Sequence, residues 1–263
     1  MIDLHSHIVP AVDDGAADLE VSLQMASMCV EEGIQTVVAT PHVNFDYLNN
    51  PLAIGKAVGA LNLALARTEI PLAVLHGAEI ALTRISELDD NTLRGLCLGG
   101  SRCLLVESPY VGGVPFLEDV IFDLQLRGFR PLLAHPERSP VFHTEPERLA
   151  RLVERDVMVS VTAGSMIGRF GSKVKRLTIE LFREGLVHDV SSDAHDRTRR
   201  PPGLAGAFEQ LDEELPGIAG QLDWFTYDVP AAILQNQRLP PRPRRPSPAP
   251  TRWQRLTGRR AKS

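Results

Sequence analysis

The first residues of the chain that can do chemistry are two histidines, His5 and His7, placed directly after the apolar run Met1–Leu4. Side chains at positions i and i+2 of a β-strand leave the same face, so both imidazoles can reach one metal ion. Other histidines and carboxylates also stand at or just beyond the end of a short apolar run. The positions that share this context are His5, His7, His42, Glu79, Glu107, His135, Asp193 and His195. Their recurrence indicates a polynuclear metal centre.

A turn, Val12-Asp13-Asp14-Gly15, follows the histidine pair. Gly15 permits a sharp loop that returns a carboxylate to the histidines, and we favour Asp14 as that ligand. Asp13 is expected to orient an imidazole instead. With Asp14 there are nine candidate ligands, too many for one ion that binds about four to six groups and keeps a position open for substrate. The sequence therefore predicts two or three ions.

The types of ligand limit the choice of metal. Nitrogen and oxygen ligands without sulfur suit Mn²⁺, Fe²⁺ or Zn²⁺ and argue against copper or a calcium cage. Carboxylates can bridge two ions and an imidazole cannot, so Glu79, Glu107 and Asp193 are the bridging candidates. Taken alone, a histidine is more often a structural or surface residue than a ligand. The recurrence after separate strand-like runs is what favours the metal centre.

Two arginines follow candidate ligands closely. Arg138 comes three residues after His135, and Arg200 comes five residues after His195. A guanidinium stays charged and makes bidentate contacts to phosphate oxygens. Beside a metal centre, these arginines predict an anionic substrate. Arg199, next to Arg200, is as well explained by a solvated ion pair.

The elements that must position these residues are short apolar runs alternating with longer helical patterns, which is typical of β/α units around a mostly parallel sheet. Seven runs are predicted as strands: Met1–Leu4, Thr36–Ala39, Leu72–Leu75, Cys103–Val106, Arg130–Ala134, Val157–Val161 and Leu186–Val190. Helices are predicted over about 19–32, 51–67, 115–127, 145–155, 173–184 and 203–214. The fold class is therefore α/β, as a distorted, TIM-like (β/α)7 barrel. In such barrels the working residues gather at the C-terminal ends of the strands.

Composition sets the domain prediction. The chain has 263 residues, of which 43% are apolar, and we predict one large domain over 1–237. Residues 238–263 carry nine Lys or Arg, no acid and a proline-rich stretch, so we predict a basic, disordered tail. Without this tail the body is strongly acidic, which argues against nucleic-acid binding.

Compartment and cysteine chemistry follow from what the sequence lacks. It has neither an apolar stretch of about 20 residues nor a signal-peptide pattern, so we expect a cytoplasmic protein without membrane insertion. Cys29, Cys97 and Cys103 are scattered and form no CxxC pair. We expect them to be buried rather than paired or bound to zinc.

Taken in order along 1–237, the motifs resemble those of the PHP (polymerase and histidinol phosphatase) superfamily, and most nearly its bacterial CpsB/CapC group of metal-dependent protein-tyrosine phosphatases. The motifs are His5-Ser6-His7-Ile8-Val9-Pro10 with Asp13-Asp14-Gly15, Ala39-Thr40-Pro41-His42, Gly77-Ala78-Glu79, Glu107-Ser108-Pro109, Ala134-His135-Pro136-Glu137-Arg138 and Ser192-Asp193-Ala194-His195. The resemblance implies a distorted β/α barrel with three metal ions, usually manganese, held by the nine ligands named above. It also implies phosphate binding by Arg138 and Arg200, and a phosphotyrosyl partner such as a tyrosine autokinase in exopolysaccharide or capsule production.

The leading hypothesis is hydrolysis of phosphotyrosine on proteins by a metal-activated water, without a covalent enzyme intermediate. No cysteine lies in a Cys-x5-Arg loop, so a thiolate nucleophile is unsupported. Asp193 or His195 could protonate the leaving tyrosyl oxygen. Two alternatives stay open: a small-molecule phosphatase of histidinol phosphate type, and a non-catalytic, metal-stabilised scaffold that binds phosphoproteins.

Overall fold

The structure is a computed structural model that describes residues 1–243. The strands of this part of the chain are β1 (Ile2–Ser6), β2 (Thr36–Ala39), β3 (His42–Val43), β4 (Ala73–His76), β5 (Glu79–Ala81), β6 (Cys103–Glu107), β7 (Arg130–Ala134), β8 (Met158–Thr162) and β9 (Asp189–Ser191). Its α-helices are α1 (Leu19–Glu31), α2 (Pro51–Arg67), α3 (Asp90–Leu96), α4 (Leu117–Leu126), α5 (Pro140–Thr144), α6 (Pro146–Val153), α7 (Ala163–Met166), α8 (Ser172–Glu184), α9 (Ala205–Asp212) and α10 (Val229–Leu234). The predicted α/β class is confirmed.

All the strand pairs are parallel, in the orders β1-β2-β4 and β3-β5-β6-β7-β8-β9. β3 continues the line of β2 after an interruption at Thr40-Pro41, and β5 continues β4 after Gly77-Ala78. Pro41 has no N–H to donate to a ladder, which favours a break at this point. The nine segments therefore occupy seven positions around the barrel, as the seven apolar runs predict.

The barrel closes between β1 and the segment after β9. The backbone N–H of His7 donates to the carbonyl oxygen of Ala194 over 2.8 Å, and the N–H of Asp193 donates to the carbonyl oxygen of His5 over 2.8 Å. These bonds join the first strand to the last at the C-terminal ends of the strands. They also fix two predicted ligand segments against each other.

Below this end, the interior holds two buried carboxylates. Asp3 accepts hydrogen bonds from the backbone N–H of Ser192 over 3.1 Å and from its hydroxyl over 2.5 Å. Asp189 accepts from the Ser160 hydroxyl over 2.5 Å. Burial raises the pKa of Asp3, and it raises the pKa of Asp189 to about 8. The lower barrel is therefore a polar network and not a wholly apolar core.

Apolar helix faces cover the barrel. In α1 the Asp18 carboxylate caps the first turn by accepting from the N–H of Val21 over 2.9 Å, and Met25 and Cys29 are buried against the sheet. The helices predicted from periodicity are present, with ends shifted by a few residues, whereas the short α3, α5, α7 and α10 were not predicted. Among the described residues every helix is too short or too polar to cross a lipid bilayer.

A few residues beyond position 237, the predicted domain boundary, still contact the body of the protein. The indole N–H of Trp224 donates to the carbonyl oxygen of Pro241 over 3.0 Å, and Arg242 donates to that of Val187. The guanidinium of Arg242 lies 5.1 Å from the centre of the Trp224 ring. The predicted disorder of the rest of the tail, from residue 244, lies outside the described residues.

Candidate metal centre

All nine predicted ligands come together at the C-terminal end of the barrel. Four groups of these side chains each place one ligand atom per residue within 4.8 Å of the others: His7, Asp14, His42 and His195; His5, His7 and Asp193; His5, Glu79 and His135; and His42, Glu79 and Glu107. The groups share members, so they form one continuous cluster. That these residues bind metal stays a prediction.

His5, in β1, and His7, directly after this strand, lie at the buried side of the cluster. The Nε2 atoms of His5 and His7 are 3.1 Å apart, so both imidazoles leave the same face as predicted. Both nitrogens also face Asp193 Oδ1, at 3.3 and 3.5 Å. Two imidazole nitrogens and a carboxylate oxygen around one point form a donor set that suits a divalent transition-metal ion.

Glu79 occupies the centre of the cluster. Its Oε1 atom is 2.6 Å from His135 Nε2, and its Oε2 atom is 3.2 Å from both His5 Nε2 and His42 Nδ1. Glu79 belongs to two of the four groups, and one of them includes Glu107. A carboxylate with ligand atoms on both sides has the position expected for a bridge between ions.

Asp14 completes the outer side of the cluster. Its Oδ1 atom is 3.4 Å from His42 Nε2 and 3.5 Å from His195 Nε2. Its side chain is 49% exposed, whereas that of His195 is nearly buried. The outermost group is therefore the one open to solvent.

The unsatisfied atoms of the cluster fit bound cations. Glu79 Oε2 and Asp193 Oδ1 are buried and accept no hydrogen bond from any described residue, which is costly for a carboxylate. Burial and the negative charge of Glu79 raise the pKa of Glu107 to about 8. Divalent cations would satisfy the unpaired oxygens and offset the crowded negative charge.

Three of the histidines are in the form that binds metal. Burial lowers the pKa of His42 and of His195. Burial and the nearby positive charge of Arg138 lower the pKa of His135 to about 4. These imidazoles are neutral at pH 7, as metal ligation requires.

The turn after β1 holds His7 in place. Asp13 Oδ2 accepts from His7 Nδ1 over 2.7 Å and from the backbone N–H of His42 over 3.0 Å, which is the orienting contact predicted for Asp13. Burial alone would lower the pKa of His7, but the hydrogen bond to Asp13 and the negative charges of Asp13 and Glu79 raise it to about 10. A Cβ atom on Gly15 would lie 2.2 Å from the carbonyl oxygen of His7, so only glycine fits there.

Two predicted ligands have unusual backbone conformations. His135 has φ of 35° and Asp193 has φ of 51°, both in the left-handed region. Such conformations cost about 1–3 kcal/mol in residues other than glycine and concentrate at functional sites. His135 directly follows β7 and Asp193 lies two residues beyond β9. At both points the side chain must turn into the cluster.

Both predicted phosphate-binding arginines lie beside the cluster. Arg138 Nη2 is 2.8 Å from Asp193 Oδ2, and Arg200 Nη2 donates to the same oxygen. The Phe170 ring packs against both guanidinium groups, with its centre 4.6 Å from Cζ of Arg138 and 5.9 Å from that of Arg200. The side chain of Arg199 is instead 90% exposed, in agreement with the solvated alternative.

Asp196, which the sequence analysis missed, folds the loop that returns Arg200 to the cluster. Its Oδ1 atom accepts from the backbone N–H groups of Thr198, Arg199 and Arg200. Burial alone would raise the pKa of Asp196, but these three donors lower it to about 2. An aspartate at the start of a short polar loop is a usual signal for such a turn.

The cluster opens into a cleft of about 380 Å³ that also contains Tyr47, Tyr110, Asn44 and Asp46. None of these four was predicted as a site residue. The position of Tyr110, directly after the Glu107-Ser108-Pro109 motif, was the available signal. The remaining histidines, His76, His143 and His188, do not line this cleft.

Comparisons with known proteins agree with this geometry. The sequence model of the family described as capsular polysaccharide synthesis, CpsB/CapC, matches residues 1–222. Tyrosine-protein phosphatase YwqE of Bacillus subtilis (strain 168) is 37% identical over 247 residues, covering 92% of this chain and 96% of the relative. Tyrosine-protein phosphatase CpsB of Streptococcus pneumoniae is 27% identical over 248 residues, covering 91% of this chain and 100% of the relative.

A solved structure is similar over nearly the whole chain. It comes from crystallographic work on YwqE from Bacillus subtilis and CpsB from Streptococcus pneumoniae, described as unique metal-dependent tyrosine phosphatases. It superposes with a TM-score of 0.82 at 35% identity, covering 95% of this chain and 99% of the other.

Proposed function

The chain belongs to the CpsB/CapC family of capsular polysaccharide synthesis, and from this premise we propose that it hydrolyses phosphotyrosine on proteins with the help of bound divalent cations. Two relatives named as tyrosine-protein phosphatases support the reaction. The similar solved structure, described as that of a metal-dependent tyrosine phosphatase, supports the metal requirement.

One observation carries the proposal: two guanidinium groups and a cluster of candidate metal ligands share a single carboxylate. Arg138 and Arg200 contact Asp193 Oδ2, and the Oδ1 atom of the same residue lies 3.3 Å from His5 Nε2. A phosphoryl group held by the two arginines would therefore lie next to the proposed metal positions. This arrangement suits phosphomonoester hydrolysis, because arginines and metal ions both stabilise charge on the phosphoryl oxygens.

We assign the nine converging histidines and carboxylates as the residues that would hold two or three ions. Bound there, divalent cations would lower the pKa of water and neutralise charge on the phosphoryl oxygens. Mn²⁺ is our proposed ion, because the resemblance to the PHP superfamily implies manganese and the mixed nitrogen and oxygen ligands suit it. Fe²⁺ and Zn²⁺ suit the same donor set.

The chain's own residues bind and orient the phosphoryl group. Arg138 and Arg200 would donate to its non-bridging oxygens and stabilise the charge that develops there. Asp193 and His195, the proton donors suggested by the sequence, border the cleft. Despite its burial, nearby histidines and arginines lower the pKa of Asp193, and burial lowers that of His195, so neither holds a readily donated proton at pH 7. A phenol has a pKa of about 10, so phenolate is already a good leaving group.

The cysteines support a route without a thiolate nucleophile. All three are buried, and none lines the cleft. Burial raises the pKa of Cys97 to about 12 and raises that of Cys29 and Cys103 further. A thiol in this form does not act as a nucleophile at neutral pH.

We propose that the physiological substrate is a phosphotyrosyl protein, specifically a tyrosine autokinase of exopolysaccharide or capsule production. The family description supports the process. The half-exposed Asp14 and Tyr110 at the edge of the cleft support access for a side chain carried on another protein.

The test is a comparison of substrates with the Mn²⁺-loaded protein: a phosphotyrosyl peptide, the phosphoseryl peptide of the same sequence, and histidinol phosphate. We expect the phosphotyrosyl peptide to have the highest kcat/KM. If histidinol phosphate were hydrolysed and the phosphotyrosyl peptide were not, the protein would instead be a small-molecule phosphatase. Metal binding without turnover of any of the three would identify a scaffold.

A further inference from the structure

Two tyrosine rings stand at the mouth of the cleft, and each lies against a candidate metal ligand. The Tyr47 ring stacks on the His42 imidazole, with ring centres 6.0 Å apart and 14° between the planes. The Tyr110 ring stacks on His135, with centres 5.6 Å apart and 26° between the planes. Both tyrosines line the cleft that contains the two arginines. The polar floor of the cleft therefore has aromatic walls.

Apolar surface continues outward from both tyrosines. Near Tyr47, Phe45 is 61% exposed and Leu48 is 69% exposed. Tyr110 is itself 52% exposed, and Val111 beside it is 66% exposed. An exposed apolar patch beside a polar cleft is typical of a binding site.

The depth of Arg138 and Asp193 in the cleft determines which part of a substrate contacts the two tyrosines. The Arg138 side chain is 8% exposed and that of Asp193 is 1% exposed, so a phosphoryl group that reaches them is well below the surface. The group esterified to the phosphate must then pass the level of the tyrosines. In phosphotyrosine this group is a phenyl ring, and aromatic rings attract each other with centres about 4.5–7 Å apart.

We propose that Tyr47 and Tyr110 form a subsite for the aryl group of the substrate and thereby select aryl over alkyl phosphomonoesters. This inference rests on the proposed phosphatase function and adds the residues that set its specificity. Tyr110 also contacts Arg138, whose Cζ atom lies 5.8 Å from the centre of the tyrosine ring. One side chain thus links the phosphoryl-binding and aryl-binding parts of the cleft.

The test is a binding measurement that needs no turnover. Affinities of phenylphosphonate and methylphosphonate for the full, Mn²⁺-loaded chain are measured by calorimetry for the wild type, Tyr47→Ala and Tyr110→Ala. We expect the wild type to prefer phenylphosphonate. Each alanine variant should lower that preference by about 2- to 10-fold, the range expected for one aromatic contact. Its affinity for methylphosphonate should fall by less than its affinity for phenylphosphonate, and Tyr47→Phe and Tyr110→Phe should keep the wild-type preference.

The third tyrosine provides a matched control. Tyr227 is 51% exposed and lies outside the cleft, so Tyr227→Ala should change neither affinity. Equal loss of both phosphonates in the cleft variants would overturn the inference, because the rings would then only support the histidines. Equal affinities of the wild-type protein for phenylphosphonate and methylphosphonate would also overturn it. Failure of the phosphatase function itself would appear separately, as no hydrolysis of any aryl phosphate.

Discussion

At the scale of single residues, Gly15 decides whether the turn after β1 can form. Its position lies so close to His7 that an added Cβ atom would be 2.4 Å from the Cβ atom of His7 and 2.2 Å from its carbonyl oxygen. The backbone N–H of Gly15 also donates to Asp13 over 2.9 Å. The glycine therefore allows the carboxylates of this turn to reach the histidines.

We expect Gly15→Ala to lower kcat/KM for a phosphotyrosyl peptide by at least about 100-fold, because a shift of about 1 Å in a positioned group can cost that much. Gly55→Ala is the matched control, since Gly55 is exposed in α2 and an added Cβ atom meets nothing within 4 Å. The control should keep full activity and raise the free energy of unfolding by about 0.5–1 kcal/mol. Wild-type activity in Gly15→Ala would contradict this role.

The adjacent arginines allow a second test at this scale. Arg200 contacts Asp193 beside the cluster, whereas the side chain of Arg199 is 90% exposed. Hydrogen bonds from charged groups contribute about 1.5–3 kcal/mol, so Arg200→Ala should lower kcat/KM by about 10- to 150-fold. Steady-state kinetics should show Arg199→Ala within about 2-fold of the wild type. Equal effects of the two substitutions would exclude a specific role for Arg200.

At the scale of elements, the ends of the strands carry the proposed chemistry and their beginnings carry a polar network. Asp189 begins β9 and is fully buried beside Ser160 of β8. Its Oδ1 atom has no hydrogen-bond partner among residues 1–243. Since burial raises its pKa to about 8, the folded protein keeps a proton on Asp189 that the unfolded chain releases at a pKa of about 4.

The stability contributed by this proton is complete below about pH 4 and is lost as the pH rises toward 8, by up to about 1.4 kcal/mol per pH unit. We therefore expect Asp189→Asn to stabilise the protein relative to the wild type more at pH 8 than at pH 5. Urea denaturation in chelator at both pH values measures this. Asp156→Asn, at an exposed position, should show no such difference. A difference that does not depend on pH would contradict a protonated Asp189.

Some strands, helices and site residues could be predicted from the sequence, and others could not. Seven of the nine strands in residues 1–243 overlap a predicted run, because buried parallel strands are mostly apolar, whereas the short β3 and β5 were not predicted. The nine converging side chains were predictable because strand ends of a barrel meet at one rim. α3 is only seven residues long and carries four polar or charged residues in Asp90–Leu96, so its period was too short to detect. The aromatic walls were missed because stacking on a histidine depends on loop conformation, which no periodicity encodes.

At the scale of the whole molecule, the candidate metal centre would tie the barrel together. Its side chains come from β1, β3, β5 and β6 and from the segments after β1, β7 and β9. Cations bound to all of them would cross-link six of the seven strand positions. Because these ligands are dispersed in the unfolded chain, metal binding should stabilise the fold as a whole.

We expect removal of metal by a chelator to lower Tm by about 5–10 °C, corresponding to a loss of about 2–3 kcal/mol for a domain of this size. Calorimetry with and without added Mn²⁺ checks this. Glu79→Gln removes the central carboxylate and should abolish most of the metal-dependent shift, whereas Glu213→Gln, at an exposed position, should keep it. A Tm that does not respond to chelator or Mn²⁺ would exclude a stabilising metal centre.

The most direct test of the central claim is a titration of Mn²⁺ into chelator-stripped protein, with bound metal and hydrolysis of a phosphotyrosyl peptide measured on the same samples. We expect no hydrolysis without metal and full activity only when two or three ions are bound per chain. Full hydrolysis by the stripped protein, or saturation of activity with less than one ion per chain, would contradict the proposal that the converging histidines and carboxylates form a catalytic metal centre.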